Sequence, residues 1–175
     1  MPPTNVYIIG AQCTGKTTLV NALRSSFKTT SDISPPTIVE EVARSVQRVH
    51  KFTAADITSS PDRCLALQTP ILETQRDAER AALRDEQWII SDRSGLDPIV
   101  YAQRYLGHET ADAMLTSAAW QEREFCQVLE RVGLPYDVIP CTLAGIDDRT
   151  AFVWSKWRAA ALRDSHGPML EANGC

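Results

Sequence analysis

The chain is 175 residues long, 43% hydrophobic and 23% charged, with a net charge of -4. That suits one globular domain with a core of its own, and it gives no general electrostatic reason to bind nucleic acid or an anionic membrane surface. No apolar run approaches the length of a membrane helix, and the five cysteines (Cys13, Cys64, Cys126, Cys141, Cys175) never form a CxxC pair. The expected setting is therefore cytoplasmic, with free thiols and neither a disulfide framework nor a zinc site.

The first predicted element is a strand over Val6–Ile9. It runs into Gly10-Ala11-Gln12-Cys13-Thr14-Gly15-Lys16-Thr17, a complete GxxxxGK[ST] string, and then into a helix from Lys16 to Phe27. Strand, glycine-rich loop and helix in that order form a phosphate cradle. The backbone N–H groups of residues 10–18, Thr18 included, point inward at a helix N-terminus. Lys16 is expected to reach the β- and γ-phosphates of ATP, and the Thr17 hydroxyl to ligate Mg²⁺.

Lys28–Pro36 is rich in Ser, Thr, Asp and Pro and reads as a loop. Thr37–Val39 is a short strand that ends in Glu40-Glu41 and passes into a helix through Ala43 and Val46. Asp62–Asp85 is helical, with Pro70 marking a kink or a fresh start. Trp88–Ser91 is the third strand, ending in Asp92-Arg93-Ser94-Gly95, and Asp97-Pro98 opens the next helix as cap and first position. Apolar spacing from Glu109 to Val132 predicts a continuous or barely broken helix, about 36 Å long if unbroken. Tyr136–Ile139 is the fourth strand, Asp147 to Leu162 the closing helix, and His166–Cys175 a frayed tail beyond a single domain over 1–165. Strands alternating with helices predict an α/β, three-layer fold with a parallel sheet of about four strands, and ligands beyond the carboxyl ends of those strands.

Asp92, at the end of an apolar strand, is the expected partner of Thr17 at the metal; a solvated turn aspartate is the plain alternative. Arg93 could neutralise phosphoryl charge or stand exposed in a loop. Glu41 or Glu40 could accept the proton of an acceptor hydroxyl, or simply favour a helix N-terminus. Arg44 can pair with either acid from the next turn. Gln68 and Gln75 share a helix face and could contact a polar acceptor, or be ordinary surface residues. Cys13 reads as loop filler. No NKxD stretch for reading guanine and no LSGGQ-like signature is present.

Four segments together resemble the NadR-like P-loop module, an AAA-type ATPase domain related to ribosylnicotinamide and deoxynucleoside kinases. They are Val6–Leu23, Ile38–Arg44, Trp88–Ala102 and the region from Tyr136 to Trp157. The resemblance implies a strand order of 2-3-1-4-5 and a nucleoside-like acceptor, with Glu41 as base, Arg44 and Gln68 at the acceptor, and Arg149 near the adenine. It also exposes a gap. Related kinases carry a further strand and an arginine-bearing lid where this chain has its predicted long helix. The Tyr136–Ile139 strand must then slide in beside strand one, or leave a sheet edge open. Two functions follow as expectations. The first is phosphoryl transfer from Mg·ATP to a small hydroxyl acceptor. The second is a nucleotide-binding regulatory or interaction module without turnover, favoured by the missing lid. The oligomeric state stays open.

Overall fold

The computed structural model describes residues 5–29, 34–53, 55–84, 88–121 and 137–164. Three strands, β1 (Val6–Ile8), β2 (Thr37–Val39) and β3 (Ile89–Asp92), form a parallel sheet in the order β1-β3-β2. β3 is central because its residues suit burial on both faces: all four are buried. The register sets Val6, Ile90 and Ile38 in one row across the sheet and Tyr7, Ser91 and Val39 in the next. Successive side chains of a strand point to opposite faces. Trp88, Ile90 and Asp92 therefore look one way, and Ile89 and Ser91 the other.

On the first face lie α1 (Lys16–Lys28) and α8 (Ile146–Asp164). Leu19, Val20, Leu23 and Phe27 of α1 pack with Trp88, Ile90 and Trp157 into one buried cluster. Phe27 meets Trp88 edge-on at 4.7 Å and stacks on Trp154 at 4.1 Å, while Trp88 and Trp157 stack at 5.0 Å. These three tryptophans are packing residues, as is Trp120, which is buried in a second cluster. That second cluster joins α4 (Pro61–Ala82), α5 (Leu96–Leu106), α6 (His108–Leu115) and α7 (Ala118–Gln121) through Leu72, Ile99, Ala102 and Met114. α2 (Val42–His50) and α3 (Asp56–Ser59) close a third cluster over Leu67 and Ile71 of α4. The result is the expected α/β arrangement, a small parallel sheet flanked by helices.

α4 starts at Pro61, where the Ser60 hydroxyl caps the Arg63 N–H at 3.4 Å, and it runs unbroken through Pro70. Proline merely deletes one rung there, the bond to the Ala66 carbonyl.

Three expectations need correction. First, Asp137–Ile139 is not a strand, and Tyr136 lies outside the described residues. The segment leans on α8 instead: Asp137 pairs with Lys156 at 2.7 Å and Ile139 packs against the aromatic cluster. Val138 is 71% exposed, and Pro140 follows, removing a ladder donor. Among the described residues the sheet has three strands, and β1 has only β3 as a strand neighbour. Second, the predicted long helix breaks at Thr116-Ser117. The Ser117 hydroxyl donates back to the Met114 carbonyl at 2.6 Å and accepts from the Trp120 N–H at 3.4 Å, ending α6 and starting α7. Its later positions Phe125, Leu129 and Val132, like the tail His166–Cys175, lie outside the described residues. Third, α5 begins at Leu96, one residue before the expected Asp97 cap.

Trp88 is 1% exposed and touches both α1 and α8, so Trp88→Ala should cost about 3–5 kcal/mol. Urea unfolding followed by far-ultraviolet circular dichroism measures this. A loss under about 1 kcal/mol would deny the aromatic cluster its place as the main core.

Candidate functional site

The phosphate loop begins where β1 stops. Gly10 has φ +147°, Cys13 φ +59° and Gly15 φ +80°, so the turn is made of left-handed steps that glycine takes without strain and cysteine with some. At Gly15 a side chain would also approach Nη1 of Arg149, 3.6 Å from the position of its Cβ. Lys16, 9% exposed, lies within the loop and its Nζ donates to the Ala11 carbonyl. The Thr14 hydroxyl donates to the same carbonyl at 2.9 Å. Burial and the nearby Arg93 charge pull the Lys16 pKa below that of an ordinary lysine, against the opposing pull of Asp97, Asp92 and Glu41. A buried cation crowded by another cation is one that gains when a polyanion arrives.

Arg149, near the start of α8, folds over the loop. Its Nε donates to the Leu143 carbonyl at 2.7 Å and its Nη1 to the Thr14 carbonyl at 3.1 Å. The fold thus brings Arg149 to the P-loop from 135 residues away in sequence.

β3 delivers the acids. Because Asp92 shares a face with Ile90, it meets α1, and the Thr17 hydroxyl donates to its Oδ2 at 2.5 Å. Asp92 is 2% exposed, and its Oδ1 is buried with no hydrogen-bond partner. An orphaned carboxylate oxygen is costly unless a ligand or ligand-bound water satisfies it. The pair fits Mg²⁺, which takes hard oxygen donors and keeps waters and substrate phosphates in its shell. Among the described residues no cluster of three or more His, Cys, Asp or Glu side chains is placed to hold a metal by itself. Thr17 and Asp92 could therefore hold a Mg²⁺ that arrives with a nucleotide.

Arg93 comes next and turns the other way. It has φ +90°, and its N–H donates to the Ile8 carbonyl at 3.1 Å, one rung beyond the β1–β3 ladder. Its Nε donates to Glu41 Oε1 at 2.7 Å and its Nη1 to Asp97 Oδ1 at 3.0 Å, with all three side chains about 12–13% exposed. Burial opposes the guanidinium charge, but the two carboxylates outweigh it and hold the Arg93 pKa above its usual value. The exposed-loop alternative for Arg93 does not hold. Glu41 stands at the N-cap of α2, and its second oxygen, Oε2, accepts from Arg44 Nε at 2.7 Å. Of the two adjacent acids, Glu41 is turned inward, and Glu40 is exposed. Asp97, inside the first turn of α5 and not its cap, bridges instead: Oδ2 accepts from the Ser94 N–H at 3.0 Å while Oδ1 holds Arg93. The signal for this role was the i, i+4 spacing of Arg93 and Asp97.

Beside this network lies a cleft of about 470 Å³, its open mouth included, between α2, α3, α4 and α5. Its walls include Val42, Ala43, Ile57, Leu67, Ile71, Pro98 and Tyr101; Gln12, Gln47, Gln68, Arg93, Ser94 and Asp97 supply polar groups. Gln68 is 3% exposed and lines the cleft, as does Gln75. Gln75, however, acts as a strut. Its Nε2 donates to Glu79 Oε1 at 2.8 Å and to Ser91 Oγ at 2.9 Å, tying α4 to β3. Gln47, Ile57 and Tyr101 were not anticipated as lining residues, because only the packing of α2, α3 and α5 on α4 brings them there. Of the remaining expected site residues, Gln12 borders both loop and cleft, Thr18 is exposed on the first turn of α1, and Cys13 is an exposed free thiol. Arg44, 71% exposed, touches Glu41 and does not line the cleft.

A glycine-rich turn after a parallel strand, a buried lysine, and a Thr–Asp pair at the next strand define a P-loop NTPase-like module. Residues 5–132 match a family described as an AAA domain, and the chain belongs to that family. No curated protein and no solved structure matches it. Membership points to nucleotide binding, for which such P-loop domains typically use Mg²⁺. No helix among the described residues is long and apolar enough to cross a membrane.

Replacing Asp92 by Asn removes a buried charge with an unsatisfied oxygen. Asp92→Asn should keep or raise the unfolding temperature while the Mg²⁺ dependence of ATP binding falls about tenfold or more. Thermal unfolding alongside titration of ATP at varied Mg²⁺ tests both halves. A destabilised variant with Mg²⁺ dependence intact would make Asp92 structural.

Proposed function

We propose that this chain binds Mg·ATP and transfers its γ-phosphoryl group to a hydroxyl of a small, nucleoside-like acceptor. The observation that carries the reading is the Arg93–Glu41–Asp97 network, which stands between the phosphate loop and a mostly apolar cleft with amide side chains in its wall. The loop backbone and Lys16 bind the phosphates, and Arg149 steadies the loop beside the base end of the nucleotide. Thr17 and Asp92 hold Mg²⁺, which when bound neutralises charge on the phosphate oxygens. Glu41 orients the acceptor hydroxyl and takes its proton. Arg93 fixes Glu41 and adds positive charge where a loose transition state spreads negative charge. Gln68 and Arg44 serve the acceptor side. An acceptor seated against the cleft's apolar walls displaces the water there. The free thiols Cys13, Cys64 and Cys141 suit a reducing, cytoplasmic setting. In this reading the chain's kinship within its family lies with the NadR-like kinases.

A second reading is supported by one feature. Both oxygens of Glu41 are engaged by guanidinium groups, Arg93 on one and Arg44 on the other. A carboxylate so occupied is a better anchor than a proton acceptor, which suits a nucleotide-binding interaction module that does not turn over.

Glu41→Gln separates the two. Under the kinase reading the variant binds Mg·ATP within about twofold of wild type but loses phosphoryl transfer by about 10²–10⁴-fold. The assay is ADP release with a panel of nucleosides and sugar alcohols as acceptors. Wild-type binding without ADP release on any acceptor would favour the interaction module.

A further inference from the structure

The two arginines on Glu41 are not equivalent, and the difference bears on how the proposed transfer is kept from wasting ATP. Arg93 is anchored three ways: to Glu41, to Asp97, and through its own N–H to the Ile8 carbonyl. Its side chain is 13% exposed. Arg44 reaches Glu41 from the next turn of α2 with a side chain 71% exposed. Solvent-exposed pairs of this i, i+3 kind are weak, because water screens them and the long side chain loses freedom in making them. One oxygen of Glu41 is therefore held firmly and the other only loosely.

We infer that Arg44 is a displaceable guard on Glu41. With no acceptor present it occupies Oε2 and keeps that oxygen from activating water; an acceptor hydroxyl entering from the cleft side takes its place. This inference rests on the kinase reading above. In the productive step the hydroxyl proton passes to Glu41 Oε2. The hydroxyl oxygen forms the new bond to the γ-phosphorus as the bond from that phosphorus to the β–γ bridging oxygen breaks, and ADP leaves. When water stands in for the acceptor, the same step yields inorganic phosphate, and Arg44 suppresses it. Arg44 is thus a positioning residue that acts through Glu41, without contact to the reacting phosphate.

The probe is Mg·ATP alone, with water as acceptor and phosphate release as readout. Arg44→Ala should raise the kcat of hydrolysis about threefold or more, with the KM for Mg·ATP and the unfolding temperature unchanged. Arg44→Lys, which keeps a cation near Oε2, should return most of the suppression. The double variant Glu41→Gln/Arg44→Ala should lose the gain entirely, since the effect passes through Glu41. Mere loosening of α2 would raise KM or lower stability and would not depend on Glu41. Wild-type turnover with Arg44→Ala equal to or slower than wild type overturns the guard while leaving the kinase reading in place. Mg·ATP binding with no phosphate release from any of the four proteins, and no transfer to any acceptor, overturns both.

Discussion

The candidate site depends on one part-buried cation between two carboxylates. Arg93 joins the end of β3 to Glu41, at the start of α2, and to Asp97, in the first turn of α5. One guanidinium thus ties α2, 52 residues upstream, to the turn between β3 and α5. Drawing such a trio partly out of water is a costly way to stabilise a fold, since apolar residues of the same volume often do as well. Groups of this kind more commonly mark a place where charge is needed for binding or chemistry. The network also fixes geometry: Arg93, which lines the cleft, holds Glu41 and Asp97, while Asp92, one residue earlier, meets Thr17 of the phosphate loop.

That opposition follows from the pleat of β3. Ile90 and Asp92 share a face because they are two residues apart, so the strand that buries Ile90 against α1 must carry Asp92 to Thr17. The backbone then turns at Arg93, with positive φ, and its side chain goes to Glu41 and Asp97. The carboxyl end of a single four-residue strand is so divided between the phosphate loop and the cleft. The sheet needs only its two neighbours, β1 and β2, to bring the loop and Glu41 alongside. The proposed chemistry therefore sits at the part of the fold that does not require a fourth strand.

Much of this was legible in the sequence for a physical reason. A strand of a parallel sheet is a short apolar run, and the change of residue type that ends it stands out; Val6–Ile9 before Gly10, and Trp88–Ile90 before Ser91-Asp92, both announce themselves in this way. The phosphate loop is legible because its glycines answer a backbone requirement local to eight residues. Long-range choices were not legible. Asp137–Ile139 looks like a strand by propensity, yet its neighbours Lys156 and the aromatic cluster draw it onto α8, and Pro140 denies it length. The break at Thr116-Ser117 hides in a good helical period because a serine can cap as well as continue a helix. Gln68 and Gln75 read alike on one helix face, and only the approach of Ser91 shows that Gln75 is a strut between helix and sheet. Likewise nothing in the adjacent pair Glu40-Glu41 says which acid turns inward; the position of Arg93 decides it.

The most direct test is calorimetric titration of Mg·ATP into the wild-type chain and into Lys16→Ala. Lys16 is buried among phosphate-loop atoms and absent from the hydrophobic clusters, so its truncation should leave the fold intact. A working phosphate loop requires binding by wild type and an affinity about tenfold or more weaker in the variant, the loss expected for a charge-assisted contact to phosphate. Equal affinity in the two proteins, or no binding by a well-folded wild type, would contradict it.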